Sequence, residues 1–143
     1  MSGRSRQAVL GQKQSLLKGF MFPDFWVRFV MDNGLVGARV EVPEEHDQSE
    51  LGIDLEFLTS EQSIDEATNF WPGLAVANDG YVPVGSCLCG SGDYYYIRAT
   101  DGAAGPLYRI YHDAVDGDGY DPNEAIALVL QSHEELLAYV ERG

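Results

Sequence analysis

Relative to its size, this chain is poorest in basic charge. Lysine and arginine together number 9 against 23 aspartates and glutamates, a formal net charge of −14. That balance repels phosphate backbones and anionic bilayers, which argues against nucleic-acid or membrane-surface partners. Long apolar runs are missing too. Nothing approaches the roughly 20 apolar residues that a bilayer crossing needs, and the first residues show no basic, then apolar, then small-residue leader. A soluble, cytoplasmic protein is the expectation. Cysteine is scarce: Cys87 and Cys89 stand one residue apart. On an extended strand such neighbours point the same way about 7 Å apart, too far for an unstrained disulfide, so two buried thiols in a reducing compartment are expected. As half of a zinc site they would need two further ligands from His46, His112 or His133, and no paired Cys/His spacing supplies them. No metal and no cofactor is expected.

The acids that are present are unevenly placed. Residues 1–40 carry six bases (Arg4, Arg6, Lys13, Lys18, Arg28, Arg39) against two acids, Asp24 and Asp32. From Glu41 to Glu66 there are ten acids and no lysine or arginine. A tract of that density steers basic proteins into contact by long-range attraction.

With 143 residues and 45% hydrophobic content, the chain has material for one domain with one core. Met1 to Gln7 read as a frayed terminus and residues 8–143 as the domain. Val9, Leu10, Leu16 and Leu17 recur at helical spacing up to Gly19. Pro23 and Asp24 suit the first turn of a second helix whose stripe is Phe25, Trp26, Phe29 and Val30, closed by Gly34 in a left-handed cap. Alternation predicts strands over Val36 to Val42 and Leu51 to Phe57, the latter with Asp54 and Glu56 outward. Thr59-Ser-Glu-Gln62 fits a capping box opening a helix to about Phe70. Glycines punctuate further strands at Leu74–Ala77, Tyr81–Val84, Asp93–Ala99 and Leu107–Tyr111. Ala125 to Leu130 is ambiguous: Asp121-Pro122 could begin a helix there. Ser132, with Glu135 reaching back, caps the last helix. The fold class is α+β: a single domain with a curved, mostly antiparallel sheet and helices packed on one face.

Reactive constellations fail on spacing. Asp116, Asp118 and Gly119 suggest a calcium loop, but in that register Ala114 and Ala125 fall where the first and last carboxylates belong. His112-Asp113 suggests a general base with its orienting acid, yet neighbours on a strand face opposite sides. The ring is therefore expected to pack beside Tyr108 or Tyr111. No base stands near Cys87 or Cys89 to make a thiolate. Gly90-Ser-Gly92-Asp93 precedes a strand, whereas phosphate loops follow one and open a helix, so it reads as a hairpin corner. Along Tyr94, Tyr95 and Tyr96, alternation turns Tyr95 away from its neighbours, so at least one of the three should reach solvent or a groove.

The order of these segments carries a resemblance. Phe22-Pro-Asp-Phe-Trp26 precedes Asp32-Asn-Gly34. Trp71-Pro-Gly-Leu leads to Gly90-Ser-Gly-Asp-Tyr-Tyr-Tyr-Ile97, then to Leu107-Tyr-Arg-Ile-Tyr-His-Asp113, and Gln131-Ser-His-Glu-Glu-Leu-Leu137 follows. Over roughly Phe20 to Tyr139 this resembles the SUKH superfamily, which holds fungal cell-wall assembly regulators and bacterial toxin-immunity proteins. Cys87-Leu-Cys89 before the glycine corner and the long insert from Val115 to Asn123 depart from its commoner form. The resemblance implies a non-catalytic scaffold whose concave sheet and loops hold another protein. The expected partner is a basic toxin domain of nuclease or deaminase type, occluded at its active cleft. The resemblance also makes Ala125–Leu130 a short strand. Candidate contacts are Glu44, Glu45, Asp47, Glu50, Asp54 and Glu56, with Tyr81 or Tyr95 as aromatic anchors. A regulatory scaffold of the cell-wall type is the alternative, and a small enzyme the third.

Overall fold

A computed structural model of the chain describes residues 23–49, 51–70, 73–88, 92–116 and 119–140. The expected N-terminal helix over residues 8–19, Glu50, Trp71, Cys89 and the Gly90-Ser91 corner lie outside these residues, as do Gly117 and Asp118 of the acidic turn.

The architecture is α+β, built on one six-stranded antiparallel sheet that curls into a half-barrel. Its order follows the chain: β1 (Arg39–Val42), β2 (Ile53–Phe57), β3 (Tyr81–Cys87), β4 (Tyr94–Arg98) and β5 (Leu107–Ile110), with β8 (Ile126–Leu130) added beyond β5. A small ribbon, β6 (Val115–Asp116) with β7 (Gly119–Tyr120), stands apart. The two outer strands are each tied to another segment. Val40 of β1 bridges Val140, and Gln48, in the loop after β1, donates its backbone N–H to the Val129 carbonyl of β8 at 2.8 Å.

Alternating patterning fills the inside of the curl. Val40 and Val42, then Ile53, Leu55 and Phe57, are buried, while Arg39 and Glu41 are exposed and Asp54 and Glu56 half-buried. Helix α1 (Asp24–Asp32) lays Trp26 and Val30 on this core, α2 (Ser60–Asn69) adds Ile64 and Ala67, and the 3-10 helix His133–Tyr139 adds Leu136. The capping box of α2 is closed: Thr59 Oγ1 accepts from the Gln62 backbone N–H at 3.1 Å, and Gln62 Oε1 accepts from that of Thr59 at 2.9 Å. Ser132 and Glu135 form a second such box. Gly34 follows α1 with φ +61°, the left-handed region expected of it.

A second, smaller cluster gathers Val76, Tyr81, Tyr96, Ile110, Val115 and Ala125. Adjacent residues therefore divide between two cores, with Tyr95 in the first and Tyr96 in the second, and neither reaches solvent. The expected groove-facing aromatic among the three is at most Tyr94, which is half-buried.

Two expected elements differ. Leu74–Ala77, read as a strand, begins in α3 (Gly73–Val76) and runs into a 3-10 turn, Ala77–Asp79. Packing decides this. A Cβ at residue 73 would collide with the Glu66 carbonyl oxygen and lie 2.9 Å from Cα of Ala67, so only glycine lets α3 abut α2. The ambiguous Ala125–Leu130 resolves both ways. Asp121 caps a four-residue helix α4 (Pro122–Ala125), accepting from the Asn123 N–H at 3.0 Å, and β8 follows at once.

His133 shows how the aromatic half of the core is fixed. Its ring centre lies 4.8 Å from that of Phe29, 5.1 Å from that of Trp26 and 6.1 Å from that of Phe25. Nδ1 meets the Gly105 carbonyl at 2.8 Å, while Nε2 is buried with no partner among the described residues. Burial pushes its pKa down, so the ring is neutral and donates from Nδ1. Among the described residues, no helix is long and apolar enough to cross a membrane.

Candidate functional site at the mouth of the half-barrel

Where β1 ends and β2 begins, the chain must cross back through Pro43 to Gly52. The resulting loop and the end of β3 border an open cleft of about 250 Å³ lined by Glu41, Glu44, Leu51, Gly52, Asp54, Cys87 and Arg109, among others.

Arg109 sets the floor. It pairs with Tyr95 across β4 and β5, which places a guanidinium over a phenol inside the curl. The residue is 4% exposed. Nη2 donates to the Gly52 carbonyl and to Tyr95 Oη, both at 2.8 Å, and the guanidinium carbon stands 5.0 Å from the Tyr95 ring centre. Tyr95 Oη also accepts the Asp54 N–H at 3.4 Å and lies 3.9 Å from Cys87 Sγ. Burial pushes the Tyr95 hydroxyl up and Arg109 pulls it down, so it stays protonated at neutral pH. Both acceptors that Arg109 reaches are neutral. Among the described residues its buried Nε has no partner and no carboxylate forms an ion pair with it.

The lip is acidic and partly apolar. Glu44 and Glu45 are exposed on the 3-10 turn Glu44–His46, Glu41 is exposed on β1, and Asp54 is half-buried at the start of β2. Leu51 is 54% exposed and Leu88 36%. Leu51 lines the cleft, and Leu88 donates its backbone N–H to the Asp54 carbonyl at 2.8 Å, which brings it to the same rim.

The expected contacts therefore separate. Glu44 and Asp54 meet at the cleft, Glu45 stands beside Glu44, and Glu56 sits farther along β2. Three of the expected contacts need correction. Asp47 is 4% exposed because it folds its own turn, with Oδ1 accepting the backbone N–H and hydroxyl of Ser49 at 2.7 Å each; its buried Oδ2 has no partner among the described residues. Tyr81 is buried beneath Arg98, 5.0 Å away, and edge-on to Tyr108 at 5.5 Å. Tyr95 is the wall behind Arg109. Neither tyrosine can anchor a partner, and Leu51 and Leu88 occupy the exposed apolar positions instead.

Sequence reasoning missed four residues here. Leu51 falls at an inward position of the expected strand Leu51 to Phe57, but β2 starts only at Ile53. Arg109, a lone base inside the apolar run Leu107–Tyr111, carried a signal in its isolation. Glu41 lay within the acidic tract, and Leu88 between the cysteines.

Cys87 is disulfide-bonded, which corrects the expectation of free thiols. β3 ends at Cys87 and Leu88 lies in a turn, so the extended spacing behind that expectation does not continue past the strand. Disulfides persist chiefly in oxidising compartments, and the argument from thiols for a reducing one falls with the correction.

His112 also differs from expectation. It opens a 3-10 turn, His112–Ala114, rather than ending a strand. Nδ1 lies 2.6 Å from Asp93 Oδ1, and Nε2 lies 3.0 Å from Asp113 Oδ1. Adjacent residues do bond here, because the turn bends Asp113 back. The ring rests against Gly92, where a Cβ would meet His112 Cε1 at 3.3 Å, rather than beside Tyr108 or Tyr111. With a carboxylate on each nitrogen, the protonated ring is favoured and both nitrogens are engaged as donors rather than as a base. The hydrogen bond to Asp93 raises its pKa most; solvent loss opposes it and Asp113 adds to it.

A folded pKa above the unfolded one gives stability that is complete below about 6.5 and lost as pH rises through the folded value. His112→Gln is accordingly expected to lower Tm by about 1–3 °C at pH 5.5, a small figure because the site is solvent-screened. The difference should shrink at alkaline pH, as the ring loses its proton in the folded state as well. Equal losses at both pH values in thermal scans would refute the clamp.

Among the described residues, no three His, Cys, Asp or Glu side chains form a group able to hold a metal ion. His133 is enclosed by aromatics, His112 lies between carboxylates, and the ring centre of His46 lies 6.1 Å from that of Tyr139. Compared with family models, curated proteins and solved structures, the chain matches none of them.

Proposed function

We propose that this chain is a non-catalytic protein-binding module of the immunity type, which docks the mouth of its half-barrel onto the basic cleft of a toxin domain and occludes it. The observation that carries this reading is the composition of the lip: Glu41, Glu44 and Asp54 line the cleft together with the exposed Leu51, Glu45 follows Glu44 on the same turn, and the exposed Leu88 is joined to Asp54 through its backbone N–H. Apolar anchors ringed by polar groups are how protein interfaces concentrate binding energy, and clustered acids speed encounter with a basic partner. The order of motifs that resembles the SUKH superfamily supports the same reading. Occlusion by carboxylates that imitate phosphates suits a nuclease or deaminase, whose cleft is built to hold a polyanion.

The test separates encounter from grip. A basic toxin domain recovered with the protein from its native source would be mixed with the wild type, with the Glu44→Lys, Glu45→Lys double variant, and with Leu51→Ser. The charge variant is expected to slow association about tenfold at low salt, with the difference fading near 0.5 M salt. Leu51→Ser should leave association unchanged and speed dissociation. An unchanged on-rate in the charge variant would show that the lip is not the docking face.

A further inference from the structure

We propose that the apolar face left open along α1 is a docking site for the chain's own segment 8–19, which folds back on it as an antiparallel helix. Six of the nine residues of α1 are apolar (Phe25, Trp26, Val27, Phe29, Val30 and Met31), and its polar residues, Asp24, Arg28 and Asp32, recur every four positions. A helix with so narrow a polar stripe is covered on more than one side. The core takes Trp26 and Val30, with Phe25 and Phe29 packed against it. The flank beyond is open: Val27 is 37% exposed, Met31 67% and Val36, in the turn between α1 and β1, 56%. These three border one notch, together with the buried Trp26, Val30 and Leu58.

The notch selects its occupant. Its volume of about 40 Å³ is far below the roughly 300–1,000 Å³ of small-molecule sites, and it admits the tip of one aliphatic side chain. Segment 8–19 carries such side chains, Val9, Leu10, Leu16 and Leu17, at helical spacing. Four residues, 20–23, join it to α1, a connection length that antiparallel helix pairs use. At about 1.5 Å per residue the segment would run roughly 18 Å, enough to pass the nine residues of α1 and reach Val36. Leu16 and Leu17 would then fall nearest Val27, and Val9 and Leu10 nearest Met31 and Val36. So short a tether also gives the segment an effective concentration of about millimolar or more, which a separate partner rarely matches. Charge agrees. Residues 1–22 hold Arg4, Arg6, Lys13 and Lys18 and no acid, while Asp24 and Asp32 stand exposed on α1 and Glu61 follows Ser60 at the notch.

Methionine footprinting of the full chain with hydrogen peroxide tests this. Met31 of the native protein is expected to oxidise about tenfold more slowly than in the urea-unfolded chain. The full-length double variant Leu16→Asp, Leu17→Asp should oxidise at Met31 nearly as fast as the unfolded chain, while near-UV circular dichroism keeps its native tertiary signal. In NMR spectra of the wild type, the Met31 methyl should show cross-relaxation with the methyls of Leu16 or Leu17 that is unchanged on dilution, a readout that stands even if the double variant fails to fold. The proposal is overturned by fast oxidation of Met31 in the native wild type, by slow oxidation in the folded double variant, or by the absence of those methyl contacts. Protection that fades on dilution as a dimer dissociates would overturn it too, by making a second copy the occupant.

Discussion

Trp26→Ala is expected to cost about 3–5 kcal/mol of folding stability, a large part of the roughly 5–15 kcal/mol that holds an ordinary domain together. The indole is almost fully buried, with ring centres 5.2 Å from Phe29, 6.0 Å from Phe57 and 5.1 Å from His133. It joins α1, β2 and the C-terminal 3-10 helix in one contact set. Removing it leaves a cavity that three separate elements would have to shift to fill. It also opens His133 to water, so the ring that burial keeps neutral becomes easier to protonate. Urea titration of the variant should show the midpoint falling steeply, and Trp26→Phe should recover more than half of the loss. A cost under about 1 kcal/mol would mean that α1 is not an integral part of the core.

Gly73→Ala should cost about 3 kcal/mol, the upper end of ordinary overpacking, because the obstacle is backbone and cannot rotate away. The added methyl would meet the Glu66 carbonyl and Cα of Ala67 in α2, forcing α3 off its neighbour and loosening Val76 from the second core. In a domain of this size that corresponds to a fall in Tm of roughly 6–12 °C. Gly34→Ala provides the contrast. Residue 34 has φ +61° with nothing within 4 Å of the added methyl, so only backbone strain of about 1 kcal/mol applies. If the two variants lose equal stability in thermal scans, the close approach of α2 and α3 is not what residue 73 provides.

These two sites mark what was legible in the sequence and what was not. Trp26 sat on an apolar stripe at helical spacing, Thr59 and Gln62 spelled a cap, and Ile53, Leu55 and Phe57 alternated; each is a local pattern, and each appears as read. Leu74–Ala77 defeated the same method because its conformation is decided by contact with α2. For short apolar runs, strand and helix look alike until the neighbour is known. Arg109 and Tyr95 were unreadable as a pair for a related reason: 14 positions separate them, and only the register of β4 against β5 brings them together. The acidic tract was plain in the composition, but which of its members face outward depended on where the loop folds. Asp47 turned in to serve Ser49, and Glu44 stayed at the rim.

The ties at Val40 with Val140 and at Gln48 with Val129 bear on how the molecule behaves in a crowd. Outermost strands are where sheets ordinarily recruit further strands, whether from a sister molecule or from a growing fibril. Here each already lends a backbone group to another segment of its own chain, and a newcomer would first have to peel that segment away. Concentrated solutions should therefore resist stacking of that kind, leaving side-chain contacts as the readier route to any assembly.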